Sequence, residues 1–525
     1  MSKSFRLPVI LLIIIAAGVF FRLQDLGKAC LWLDEAITYD RAIASIPEII
    51  RASYGWEVHP PTYYLILHFM VKLGESPVAL RLFSVIFGVL SIPVFYFLGR
   101  EILGKREAIV AALLLAISAY QIRYSQEARM YTLFFFVSAL SMLFFYRAFT
   151  RQQKQDWFIW AGVSVANFYV HYYAVFLITA QFVFYVGNLV QQKTYHQFLS
   201  RHRLFLLACL VVAAACLPQI PFMLEQAESK RVGGAAVDWS ARFANNKPAA
   251  FLLVLLKSNF YPTTLSSPLL ERGMKYLFGA FIVLGIILAW KQHKTAILYL
   301  GTVLFIPLLC AWIVSFFIYF SGTFRYLFYL NAPLLLLLTL AITAVADKIA
   351  SILSKIASRI AANPGQSKAL AMAVVLGIFC LVDSYVLANY YRNPRNADWQ
   401  TGFSYIKKNC QEGDAIIPVP GYVTYIARYF LLGDENSRRV MWLHNLKPPV
   451  LDSLTTQHQG VYFILSNDFD SPARKEIEAW LSRQTQLLWQ DPNFPTNAIW
   501  LANRRSALPA SAQALSPTEF ELPQK

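Results

Sequence analysis

Leu7 to Phe21 is the first of a series of long apolar runs, and that series constrains the chain more than any motif in it. A helix is the structure that lets such a run cross a bilayer, because it satisfies its own backbone where water is absent. Eleven spans give the most consistent arrangement, at 7–21, 79–98, 108–123, 131–148, 157–171, 173–190, 204–222, 275–290, 296–319, 327–346 and 370–388. The runs are rich in Leu, Ile, Val and Phe and read as helices rather than barrel strands, so the expected fold is an α-helical polytopic membrane protein. Composition agrees: the 525 residues are 57% hydrophobic and 15% charged, too apolar for a soluble globular protein.

The net charge of +17 would suit a nucleic-acid partner, but its distribution argues against one. From residue 390 onward there are 14 Lys/Arg and 13 Asp/Glu, so the excess lies in short loops of the membrane part. Alternate loops carry Lys3/Arg6, Arg100/Lys105/Arg106, Arg147/Arg151/Lys154, Lys193/Arg201/Arg203, Lys291/Lys294 and Lys348/Lys355/Arg359/Lys368. Those loops hold only Glu101, Glu107, Asp156 and Asp347 as acids, which places them and the N-terminus in the cytoplasm. The first run lacks a small-x-small cleavage site and reads as an uncleaved span. Thr62 to Leu73 is apolar but too short to cross, and counting it would put the basic loops outside. It therefore reads as a helix lying at the outer interface.

Residues 347–368 have helical spacing and read as a cytoplasmic surface helix, closed by Asn363-Pro364-Gly365. The transmembrane domain is expected to end at residue 390, followed by an exported domain over 391–505 and a disordered tail over 506–525. Within the exported domain, strand-like runs at Asp414 to Val419, Gly460 to Leu465 and Ala498 to Ala502 alternate with helices at Trp399 to Asn409 and Ser471 to Arg483, the pattern of a small α/β domain. Four of the six cysteines sit in apolar runs; Cys30 and Cys410 would both be exported and could bridge.

On this topology the polar clusters fall on the outer face. The first outer loop, 22–78, carries Asp34-Glu35, then Glu57-Val58-His59-Pro60-Pro61-Thr62-Tyr63-Tyr64, and leads to Arg81 at the mouth of the second span. Tyr124-Ser125-Gln126-Glu127-Ala128-Arg129-Met130-Tyr131 forms a later hairpin, and His171-Tyr172-Tyr173 and Thr323-Phe324-Arg325-Tyr326 sit at span ends. Each alone has a bland reading: a solvated carboxylate, a headgroup anchor, an interfacial aromatic. Their shared side suggests a water-accessible cavity that accepts an acid group and a phosphate.

The order Leu33-Asp34-Glu35-Ala36, His59-Pro60-Pro61 with Tyr63-Tyr64, Arg81 and Tyr124 to Tyr131 resembles the GT-C membrane glycosyltransferases, in the group of protein O-mannosyltransferases and lipid A aminoarabinose transferase. His171-Tyr172 between spans is also similar to members of that group, and the likeness covers roughly residues 7–350. The resemblance implies an inverting transferase moving one sugar from a polyprenyl-phosphate donor to a lipid, glycan or protein acceptor hydroxyl at the outer face of the cytoplasmic membrane. It implies Asp34 as the base that deprotonates the acceptor, with Glu35 positioning the acceptor or holding Asp34's geometry. The leaving phosphate needs positive charge, for which Arg81, Arg129 and Arg325 are the candidates with His59 beside them. Tyr63, Tyr124, Glu127, Tyr131, His171 and Tyr172 are further site candidates. Glu127 and His171 could instead hold a divalent cation, although the aspartate-rich ligand pairs of metal-dependent relatives are absent. The competing classes are a transporter or flippase of a lipid-linked substrate and a non-catalytic assembly protein. A transporter would place ionisable groups near mid-membrane on broken helices, whereas these span interiors are nearly free of charge.

Overall fold

The computed structural model describes residues 3–53, 59–191, 202–229, 256, 268–316, 324–357, 364–393, 395–441, 443, 447–466, 472–494 and 497–502. Two compact units divide the chain. One comprises residues 1–26, 44–74 and 79–392, and the other 27–43, 75–78 and 393–525. The second unit thus draws 21 residues from the first loop, which the sequence assigned to the membrane domain. The expected tail over 506–525 lies outside the described residues.

In chain order the first helices are α1 (Lys3–Leu23), α2 (Leu33–Ile43), α3 (Ile46–Ala52), α4 (Thr62–Met70), α5 (Pro77–Ile102), α6 (Lys105–Ile117), α7 (Ala119–Ser125), α8 (Tyr131–Arg151), α9 (Lys154–Val170) and α10 (Ala174–Gln191). Then follow α11 (Arg203–Cys216), α12 (Ile220–Ser229), α13 (Pro268–Val314), α14 (Asn331–Ala357) and α15 (Pro364–Arg392). Among the described residues seven helices are long and apolar enough to cross a membrane, or eight if the bent pair α6–α7 is one span. The chain is a multi-pass membrane protein.

Spans 275–290 and 296–319 both map onto α13, which leaves helical geometry at His293 (φ −125°, ψ 26°). Its 47 residues would extend about 70 Å if straight, over twice the hydrocarbon thickness, so it holds two crossing lengths. The expected surface helix does not stand alone: α14 runs unbroken through residues 347–357, since no breaker separates Ala346 from Asp347. Pro364 opens α15 instead of closing a helix, as a proline in a first turn can.

The span over 325–355 is 89% buried along its most apolar stretch, which makes it the central helix of the first unit. Small residues let neighbours approach it: a Cβ on Gly285 would collide with Ala341. The span over 366–392 is only 22% buried. Its exposed Leu370, Val374, Ile378, Leu381 and Tyr385 fall at helical spacing and make a stripe suited to lipid.

The 55° break between α6 and α7 has a physical cause. A helix ending inside a bilayer leaves carbonyls without partners. Fully buried Arg22 supplies them, donating to Leu115 O at 3.2 Å, Ala116 O at 3.0 Å and Gly18 O at 3.1 Å, while its Nε donates to Ser125 Oγ at 3.2 Å. Gln126 Nε2 donates to Arg22 O at 3.0 Å and Gln24 O at 2.6 Å, and its Oε1 accepts from Tyr390 at 2.9 Å. Ser125 and Gln126 of the hairpin motif are therefore structural.

The second unit holds α16 (Trp399–Asn409), α17 (Thr424–Phe430), α18 (Pro448–Gln457) and α19 (Pro472–Gln484), with strands β1 (Ala415–Val419), β2 (Val461–Leu465), β3 (Gln486–Gln490) and β4 (Ala498–Ala502). The sheet order is β1-β2-β4-β3, with β1 and β2 parallel and the other pairs antiparallel. Every residue of β1 and β2 is buried, as expected where both faces are covered. Alternate residues feed two cores: Ile416, Tyr462 and Ile464 pack with Phe403 and Ile426, while Ile417, Phe463 and Leu465 pack with Leu451 and Leu481. All three expected strands and both expected helices are present; β3, α17 and α18 were not anticipated. The six cysteines are free, so Cys30 and Cys410 are not bridged.

Candidate active site

In the first unit the polar residues gather where α4, α8, α10 and α14 begin. His59 precedes Pro60 and so is steered to extended backbone, and α4 starts two residues further on. His171 ends α9 in extended geometry (φ −157°, ψ 127°), one turn before α10. Their rings are 4.9 Å apart, and Tyr326 lies 5.1 Å from His59 and 5.4 Å from His171. Phe134 stacks on His171 at 4.6 Å. Both imidazoles are buried, His59 at 1% and His171 at 2% exposure.

The electrostatics of this cluster are cationic. Burial, His171, Arg129 and Arg325 together drive the His59 pKa well below its ordinary value. Burial and Arg129 push His171 down to about 3, so both rings are neutral at neutral pH. The Tyr173 amide donates to His171 Nδ1 at 3.2 Å, which makes Nδ1 the acceptor and leaves the proton on Nε2. That Nε2, and both ring nitrogens of His59, are buried without a hydrogen-bond partner among the described residues. The site thus offers N–H donors beside two guanidinium groups, a chemistry that suits an anion.

Tyr63 and Tyr64 both serve Arg129. Tyr64 Oη accepts from Arg129 Nη1 at 3.2 Å. Tyr63 Oη lies 3.0 Å from Ser84 Oγ, which donates to Arg129 O at 3.0 Å. Tyr124 packs edge-on against Tyr131 at 5.2 Å and lies within charge range of Glu127 and Arg325. Arg81, 1% exposed, donates to Leu26 O at 2.8 Å and so ties α5 to the end of α1. Tyr172 donates to Gln219 at 3.2 Å. The structure therefore groups His59, His171, Arg129 and Arg325, with Tyr63, Tyr124, Glu127 and Tyr131 around them, while Arg81 and Tyr172 make contacts of a structural kind. Glu57 and Thr323 lie outside the described residues. Among the described residues no three His, Cys, Asp or Glu side chains converge as metal ligands.

Sequence reasoning did not single out Ser84 or Phe134. Ser84 stands one turn after Arg81 in an apolar span, a polar hint that something there needed a hydroxyl.

The acidic pair belongs to the second unit, in the first turn of α2, where the helix dipole favours negative charge. Glu35 is 1% exposed and its carboxylate accepts from the Trp32 amide at 3.4 Å, closing the helix start as the acidic member of a capping box does. Asp34 is half-buried, and its backbone carbonyl accepts from Thr38 Oγ1 at 2.8 Å. Of the two residues Asp34 is the more exposed, and Glu35 accepts from the backbone at the start of its own helix.

Residues 58–222 match the family of dolichyl-phosphate-mannose-protein mannosyltransferases. An uncharacterised protein of Aquifex aeolicus (strain VF5) is 28% identical over 175 residues, a match that spans about a third of each chain, 32% of this one and 34% of the other. Two solved structures share the fold over nearly the whole chain. ArnT from Cupriavidus metallidurans, bound to undecaprenyl phosphate, superimposes with a TM-score of 0.57 at 11% identity, covering 95% of this chain and 98% of that one. The archaeal oligosaccharyltransferase AglB from Archaeoglobus fulgidus, in complex with an inhibitory peptide and a dolichol-phosphate, gives 0.55 at 13% identity over 97% and 75%. The chain is built on the GT-C fold, and its residues 58–222 are similar to the dolichyl-phosphate-mannose-protein mannosyltransferases.

Proposed function

We propose that this protein is an inverting glycosyltransferase that moves a single sugar from a polyprenyl-phosphate sugar to an acceptor hydroxyl. The observation that carries the reading is the buried cluster of His59, His171, Arg129 and Arg325, in which neutral imidazole N–H groups stand beside guanidinium forks. The fold shared with ArnT, itself bound to undecaprenyl phosphate, supports a lipid phosphate as the anion.

In this reading Asp34 accepts the proton of the acceptor hydroxyl as its oxygen bonds to the anomeric carbon. The bond from that carbon to the phosphate oxygen breaks, and its electron pair leaves with the lipid phosphate. The negative charge that grows there meets Arg129, Arg325 and the imidazole N–H groups. Glu35 acts by fixing the helix that carries Asp34. In this reading guanidinium groups meet the phosphate charge, and Arg129 beside His171 disfavours a divalent cation on that ring. The N-terminus is then cytoplasmic and the site faces outward from the cytoplasmic membrane, which the distribution of basic loops supports. The polar groups collect at helix ends rather than mid-span, which favours a transferase over a transporter.

The test is Asp34→Asn in purified protein with a panel of polyprenyl-phosphate sugars. Transfer should be lost while polyprenyl phosphate still binds; near-normal turnover would remove Asp34 as the base. Mass spectrometry of envelope glycans and glycolipids with and without the protein identifies the donor sugar and the acceptor.

A further inference from the structure

The helix that carries Asp34 is held by residues almost four hundred positions away. An 11-residue helix is marginal in water on its own, so α2 depends on what it packs against. That partner is α17. Ala36, fully buried, joins the core formed by Trp399, Phe403, Ile426, Ala427 and Leu431, and Leu33 packs on the same cluster. One turn later Tyr39 meets Tyr429 edge-on at 5.1 Å, while Asp40 accepts from Arg428 at 3.4 Å and Arg41 donates to Tyr425 Oη at 3.4 Å. Tyr425, Arg428 and Tyr429 stand at i, i+3 and i+4, one face of α17. The approach to α2 is fixed from the same side: Asn396 Nδ2 donates to Cys30 O at 2.6 Å, and Tyr429 Oη donates to Glu75 O at 3.1 Å.

We infer that the C-terminal α/β unit is a positioning device for the acidic helix, with Arg428 and Tyr425 as positioning residues that set the rotation and advance of α2 and hence the place of the Asp34 carboxylate. This rests on the reading of Asp34 as the base. Ala36 and Leu33 bind the helix to the core, but small apolar contacts leave its rotation loosely defined. The Asp40–Arg428 and Arg41–Tyr425 pairs are directional and fix it. A base displaced by about 1 Å from its acceptor loses rate steeply, while donor capture, which uses a different set of residues, is untouched.

The experiment uses the full chain with Arg428→Ala, Arg428→Lys, Asp40→Asn, the Asp40→Asn/Arg428→Ala double variant and Lys475→Ala, an exposed residue of α19, as control. Polyprenyl-phosphate binding counts the folded sites. Per folded site, Arg428→Ala and Asp40→Asn should each lower kcat by about two- to fivefold with donor KM within about twofold, the scale of a half-exposed pair. The double variant should be no worse than either single one, and Arg428→Lys should recover most of the rate. Hydrogen exchange should rise in residues 33–43 of Arg428→Ala and stay unchanged in the strands. If kcat per folded site matches that of Lys475→Ala, or if exchange over 33–43 is unaltered, the positioning role is overturned. If the wild type transfers no sugar, the exchange result still decides whether Arg428 holds α2, and the transferase reading fails by itself.

Discussion

The two ends of the helical unit carry similar charges and treat them oppositely. At the end where α5 and α8 finish, α6 and α9 start and α14 passes, arginines meet carboxylates. Arg106 grips both oxygens of Asp347 at 2.9 Å, Arg147 lies 3.1 Å from Asp156, and Arg151 pairs with Glu101. At the end where α4, α8, α10 and α14 begin, Arg129 donates to a tyrosine hydroxyl and Arg81 to a carbonyl, and the imidazoles are held neutral. Basic residues beside a membrane thus come in two kinds, those whose ion pairs close a loop and those that stand beside neutral imidazoles.

The largest effect is expected from breaking the second kind. Arg129→Ala should lower kcat/KM for the donor by about 10²-fold or more, since a fixed donor at a growing charge contributes on that scale. Tyr64→Phe, which removes the hydroxyl that orients Arg129, should give a smaller loss in the same direction. Steady-state kinetics over a range of donor concentrations checks both. Unchanged donor dependence in Arg129→Ala would move that residue to the first kind.

Much of this contrast was legible in the sequence. The basic loops stand out because few acids dilute them, and each of Glu101, Asp156 and Asp347 proves to be an arginine's partner. His59, Glu127, Arg129, His171 and Arg325 could be placed on one side because helices alternate direction across a bilayer. Their functions within the motif were not legible. Ser125 and Gln126 read as part of the same hairpin signature, yet they answer to Arg22 and the carbonyls around it, a demand created by a helix break that no period reveals. In the C-terminal unit β1 and β2 showed as short apolar runs, while β3 did not: it is an edge strand with exposed Gln486 and Gln490 at its ends. Least legible was the allegiance of α2. Proximity in sequence assigned it to the membrane domain, and pairing across almost four hundred residues assigns it to the α/β unit.

Next in size is the most buried of the closing pairs. Asp156, with its side chain 2% exposed, faces Arg147 at 30%. Asp156→Asn should cost about 1–3 kcal/mol, since it leaves a buried carboxamide beside a cation that has lost its counter-charge. Turnover per folded enzyme should stay within twofold. A loss of turnover without a drop in melting temperature would mean that the two ends are less separate than their pairing implies.

The histidines sharpen the contrast through pH. Both have folded-state pKa values below the ordinary 6.5, His171 at about 3. Below pH 6.5 the unfolded chain takes up protons that the folded cluster refuses, so stability is full above that pH and falls as pH drops towards the folded values. Each imidazole should cost about 1.4 kcal/mol per pH unit in that window. Melting curves between pH 7.5 and 5.5 should show the loss, and His171→Gln should flatten it. Identical slopes in the two proteins would mean that His171 titrates as an ordinary histidine and that the cluster is not cationic.

The smallest effect belongs to the exposed pair. Arg151 is 43% exposed and its partner Glu101 20%. Two long side chains fixed in water gain little, because solvent screens the attraction and ordering them costs entropy. Arg151→Ala should therefore lower stability by less than about 1 kcal/mol, and the difference should shrink as salt is raised. Donor kinetics should not change. The comparison between the ends depends on this null result as much as on the loss at Arg129: if removing a surface arginine from the closing end impaired donor capture as well, charge count alone, and not a place beside the imidazoles, would govern the site.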